Sequence, residues 1–191
     1  MRLFILALPL LLALPVAAQH GGSPKTKAVP AAKPVTVPAP VAHSPQVLDQ
    51  QYGFRGVKLE ADSTSLSALA FERRDNDLFY YHRDTDSLTW AKAAVSGPSY
   101  AFYRGKLLSL SFTTKGAANS HAVLARLQDL YGPGEQKGTQ QRFTWRGERT
   151  LLRYEESSTS NNAVVTLTSL PLTIRRQQDV SGVIEQTAAN R

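Results

Sequence analysis

The chain has 191 residues, a formal net charge of +7, 42% hydrophobic residues and no cysteine. Without cysteine there can be no disulfide, thiolate metal site, iron–sulfur cluster, cysteine nucleophile or lipobox, so the fold must rest on its core. The charge is unevenly spread: Arg2, Lys25, Lys27 and Lys33 stand in residues 1–47 without an acid, whereas residues 48–172 carry 15 basic and 13 acidic side chains. Such a nearly balanced, interleaved segment lacks the concentrated basic footprint of a nucleic-acid binder.

Met1-Arg2 precedes an uncharged apolar run from Leu3 to Val16, followed by small residues at Val16-Ala17-Ala18. The run is shorter than the ~20 residues a spanning helix needs and contains Pro9 and Pro15. Residues 1–18 are therefore expected to be a signal peptide, with export to the periplasm or the medium and no transmembrane segment in the mature chain. Residues 19–46 are rich in Pro, Ala, Val and Lys and lack aromatic residues. They cannot bury enough apolar surface to offset their conformational entropy, and their prolines favour an extended spacer. An α+β domain is expected over 47–172 and a frayed tail over 173–191, where Val180, Val183 and Ile184 permit a short docking helix.

Within the domain, Phe54–Glu60 alternates as a first strand and Ser63–Ala70 can form a short helix. Strands are expected at Leu78–Arg83, at Ser87–Ala93 around Trp90, and in a hairpin of Tyr100–Arg104 and Leu107–Thr114. In the returning strand, alternation puts Leu108, Leu110 and Phe112 on one face. Val123, Leu124, Leu127 and Leu130 recur at helical spacing, which predicts the main helix over 117–131, capped by Asn119 or Ser120 and ended by Gly132-Pro133-Gly134. Strands at Gln141–Arg146, Thr150–Glu156 and Ala163–Leu170 complete one antiparallel sheet with helices on one face. Each half can be written as strand, helix and further strands, which suggests a duplicated unit.

Chemistry is sparse. His20 and His43 fall in the arm, while His82 stands beside Asp84 and Asp86 and His121 in the first turn of the main helix; none belongs to a metal-binding pattern. Glu155 and Glu156 are consecutive on a strand and point to opposite faces. No serine-nucleophile or phosphate-loop motif occurs, and no cofactor or metal is expected. Adjacent aromatics such as Tyr80 and Tyr81 cannot both face the core, so some are available for a sugar or protein partner.

The phrases FRGVKL (54–59), FYRGKLLSLSF (102–112), LQDLYGPG (127–134) and FTWRGERTLL (143–152) resemble an uncharacterised family of small exported bacterial α+β domains. The resemblance covers about residues 52–170 and implies a fold and a location, with no catalytic residue to carry over. The expected function is a non-enzymatic envelope binding module for a protein or glycan, with Arg55, Tyr81, Tyr103 and Trp145 as candidate binding residues. The alternative is a small hydrolase of an envelope polymer, built around His82 or His121.

Overall fold

The computed structural model of the protein describes residues 44–189; the expected leader, His20, His43 and nearly all of the arm lie outside the described residues. The chain opens with α1 (Pro45–Gln51) and a tight hairpin of β1 (Gly53–Phe54) and β2 (Val57–Lys58), then a single 3-10 turn at Ser63–Ser65. Next come β3 (Ala70–Asp75), β4 (Leu78–His82), a small ribbon of β5 (Thr89–Trp90) and β6 (Ala93–Ala94), and the hairpin β7 (Ser99–Tyr103) and β8 (Lys106–Thr113). After α2 (Ala117–Tyr131) follow β9 (Glu135–Gln136), β10 (Arg142–Arg146), β11 (Thr150–Glu156), β12 (Ala163–Ser169) and α3 (Leu170–Ala189).

Eight strands form one antiparallel sheet in the order β3-β4-β7-β8-β12-β11-β10-β9. The fold is thus α+β, as the hydrophobic patterning implies. Its halves share a path: β3, β4, β7 and β8 meander from one edge to the centre, and β9 to β12 do so from the other edge. The final strands of the two meanders meet, with Leu110 opposite Leu167 and Phe112 opposite Val165. A helix precedes each meander, α1 in the first half and α2 in the second.

One face of the sheet carries the main core. Tyr100, Phe102, Leu107, Leu110, Phe112, Trp145, Leu152, Tyr154, Val165 and Leu167 pack there beneath Leu48 of α1, Tyr52 just after it, and Val123, Leu127 and Tyr131 of α2. Full burial of one such aliphatic side chain contributes ~1.5–3 kcal/mol. On the other face, Leu78, Tyr103, Leu108 and Leu172 form a small second cluster beneath α3.

Several local departures from the simple pattern have identifiable causes. The Phe54–Glu60 run is not one strand, because Arg55 (φ 52°) and Gly56 (φ 80°) form a two-residue turn with both central residues left-handed, the geometry that suits hairpin twist. The Ser87–Ala93 run likewise folds on itself at Ala91 (φ 52°) and Lys92 (φ 65°), which sets Trp90 against Phe54 and Phe112. Ala101 pairs with Ser109 but Phe102 with Leu107, so Leu108 is an extra residue in β8. This bulge turns Leu107 into the main core and sends Leu108 to the opposite cluster, away from Leu110 and Phe112.

The main helix has the expected span, but neither Asn119 nor Ser120 caps it; Gly116 is its N-cap. Asn119 instead donates to Lys115 O (2.8 Å) and accepts from the Ala94 amide (3.0 Å), and Ser120 shares a buried hydrogen bond with Thr114 (2.6 Å). Helix α3 replaces the frayed segment expected after 173. Ser169 starts it: its Oγ accepts the Leu172 amide (3.2 Å), two residues into the helix, and Pro171 occupies the first turn where a missing N–H costs nothing.

Candidate functional site

Helix α3 lies across the second face of the sheet, and its polar residues make specific contacts there. Arg176 grips Asp77 in the β3–β4 turn, with Nε 3.0 Å from both carboxylate oxygens and Nη2 2.7 Å from Oδ1. One helical turn on, Asp179 accepts the Tyr103 hydroxyl at 2.5 Å and pairs with Arg104 at 3.1 Å. Positions 172, 176 and 179 fall on one side of a helix, which is why this stripe meets the sheet while Ile174, on the opposite side, stays exposed.

Between α3 and the two turns opens a cleft of about 740 Å³, lined by Arg74, Asn76, Asp77, Phe79, Tyr103, Arg104, Arg176, Asp179 and Val180. Phe79, Tyr103 and Val180 supply apolar surface. Arg176 holds the Asp77 carboxyl below the usual carboxylate range, so Asp77 stays charged and is a weak proton acceptor. Burial first, and then the bond to Asp179, raise the Tyr103 hydroxyl. Arg74 donates Nε to Asn76 O (2.8 Å), lies 4.9 Å from the Phe79 ring centroid, and has no ion-pair partner among the described residues. The Arg104 side chain is 65% exposed beside the Tyr103 ring. The mouth of the cleft therefore presents guanidinium N–H groups above an aromatic and aliphatic lining, which suits an anionic group carried on a less polar body.

No family profile, curated protein or solved structure matches the chain.

Of the four candidate binding residues, the structure brings only Tyr103 to this cleft. Arg55 sits at the β1–β2 turn, where its guanidinium donates to Ser87 O (2.6 Å) and to Thr89 O, latching the hairpin to the β5 approach. Tyr81 is half-buried, edge-on to both Phe71 and Phe102. Trp145 is only 1% exposed, with Nε1 bonded to Gly132 O at 2.8 Å, so its ring is a core element out of reach of an outside ligand. Nor do Tyr80, Tyr81, Tyr100 and Tyr103 form an exposed aromatic patch: Tyr100 and Tyr103 are buried and the other two half-buried.

His82 lies 3.5 Å from the exposed carboxylate of Asp84, and His121 is exposed on α2. Among the described residues no three His, Asp or Glu side chains cluster as a metal site would require, and no helix is long and apolar enough to cross a membrane.

Sequence reasoning passes over Asp77, Arg104, Arg176 and Asp179. Asp75-Asn76-Asp77 has the composition of an ordinary turn. The signal that could have found the others is Ser169-Leu170-Pro171, a helix start, followed by Arg176 and Asp179 at a spacing that places both on one face.

Proposed function

We propose that the chain is an exported, non-enzymatic binding module of the cell envelope, whose cleft beneath α3 receives an anion-bearing segment of a protein or glycan partner. One observation carries the reading: the exposed Arg74, without an ion-pair partner among the described residues, and Arg104, paired with Asp179 through one nitrogen, line the same cleft as Phe79, Tyr103 and Val180. The depressed Asp77, locked by Arg176, supports binding over proton chemistry at this cleft. The hydrolase alternative gains nothing from His82, whose neighbouring carboxylate is solvent-exposed, or from His121 on a separate element.

Arg74→Gln tests the site without touching the contacts that dock α3. Full-length protein and the variant are compared in capture from envelope extract, with captured species quantified. The expected result is specific loss of one or more partners from the variant. An unchanged partner set would remove the cleft from consideration.

A further inference from the structure

The opposite face of the β10–β11–β12 half is a second feature, separate from the cleft. Alternation along these strands sends Phe143, Trp145, Leu152, Tyr154, Val165 and Leu167 to the main core side. The residues between them point the other way. Helix α3 covers Leu78, Tyr103 and Leu108 on that side, and Leu151, between Arg146 and Thr168, is buried too, but farther along the strands Val164 is 41% exposed and Arg142, Arg146 and Arg153 are all exposed.

The register fixes how these three arginines are arranged. Arg153 pairs with Thr144, midway between Arg142 and Arg146 on the neighbouring strand. At ~3.3 Å per residue, the three guanidinium stems start from points spaced ~6.6 Å apart along the strand direction, about 13 Å from first to last. None of the three forms an ion pair or side-chain hydrogen bond among the described residues, although two exposed carboxylates share the face, Glu155 opposite Arg142 and Glu135 opposite Thr144. The next pair inward is Thr166, opposite Arg153. The three cations at regular spacing stand among these two carboxylates and the hydroxyls of Thr144 and Thr166, and offer charge-assisted donors beside neutral hydrogen-bonding groups.

We infer that this uncovered face is a docking surface for an extended anionic polysaccharide, its carboxylate or sulfate groups meeting Arg142, Arg153 and Arg146 in turn. The hydroxyls of Thr144 and Thr166 beside the arginines suit the hydroxyls and anionic groups of a sugar chain. A single-stranded nucleic acid would need aromatic platforms for its bases, and the aromatics of these strands lie on the core side.

Full-length protein is titrated with fluorescein-labelled polygalacturonate and, separately, heparin, which present carboxylate and sulfate groups. Neutral dextran and a single-stranded oligonucleotide serve as comparisons. The triple substitution of Arg142, Arg146 and Arg153 to Gln is set against a charge-matched control, Lys115, Arg126 and Arg175 to Gln, drawn from exposed positions elsewhere. Near-UV circular dichroism confirms that both variants keep their aromatic packing. The expected result is binding of at least one anionic glycan, weakened at least about tenfold by the sheet-face triple and less than about twofold by the control; Glu155→Gln tightens it. Equal weakening by both triples, tighter binding to the oligonucleotide than to either glycan, or no binding to either glycan would overturn the inference.

Discussion

Trp145 donates its indole N–H to Gly132 O while its ring rests on Gly134, where an added Cβ would stand 2.7 Å from Cε2. Gly134 also has φ 74°, a conformation other residues adopt only under strain. Trp145→Phe leaves the Gly132 carbonyl unpaired and a void beside it, for an expected loss of about 2–4 kcal/mol in urea denaturation. Gly134→Ala should lose more than about 1 kcal/mol in the same measurement, since both its φ and its contact are unfavourable. The tyrosines set a pH limit. Burial, joined by hydrogen bonds to Asp86 and Glu156, raises the Tyr100 and Tyr154 hydroxyls well above the ordinary value of about 10. The folded state therefore holds these protons after the unfolded state has released them. The stabilisation is complete below about pH 10 and is lost as pH rises toward the folded values. Absorbance at 295 nm should show these two groups ionising together with unfolding, whereas Tyr154→Phe should carry the alkaline midpoint upward.

Helix α3 depends on both its ends and its side chains. Ser169 caps it, donates to Glu60 (2.7 Å) and shares a hydrogen bond with Tyr52 (3.0 Å), so one hydroxyl joins α3 to the segment after α1. Burial opposes the charge on Glu60, but the hydrogen bonds from Tyr52 and Ser169 outweigh it and lower its pKa. Ser169→Ala is expected to cost about 1–2 kcal/mol and to speed amide exchange through the first turns of α3. Asp77 gives the docking of α3 an acid limit. Its folded value is depressed by Arg176, so this contribution is held above about pH 4 and lost as pH falls through the lowered value. Hydrogen exchange at pH 7 and pH 3 should find α3 deprotected at the lower pH, and Asp77→Asn should flatten that difference.

The same element separates what local pattern can reveal from what it cannot. Helix α2 is legible because Val123, Leu127 and Tyr131 repeat toward a single apolar core and a Gly-Pro-Gly stop follows. The strands β11 and β12 are legible because apolar residues alternate through them, Leu152 and Tyr154 in the first and Ala163, Val165 and Leu167 in the second. Helix α3 is not, because it docks through Arg176 and Asp179, whose meaning depends on Asp77 and Tyr103 about a hundred residues and seventy-six residues away. The bulge at Leu108 is invisible for a related reason: nothing in Leu107-Leu108 says which leucine belongs to which face until Phe102 and Ala101 choose their partners. The cleft inherits both difficulties, so only Tyr103 among its residues is marked in advance.

At the scale of the molecule, a single buried cluster spans both meanders, from Tyr100 and Phe102 in the first to Trp145 and Tyr154 in the second. Neither half can keep its core without the other. Thermal unfolding followed by tryptophan fluorescence and far-UV circular dichroism should therefore give coincident single transitions. A fragment ending after β8 should expose Leu110 and Phe112 along an unpaired strand and aggregate.

The central position of β8 and β12 has a consequence in time. The first strand of each meander lies at an edge of the sheet and the last lies at its centre, so the seam joins positions 109–113 to positions 164–168. A chain made from its N-terminus can pair β3 with β4 early, but the middle of the sheet waits for β12, the last strand among the described residues. Until then β8 stays unpaired on one side, and the sheet closes only when β12 arrives.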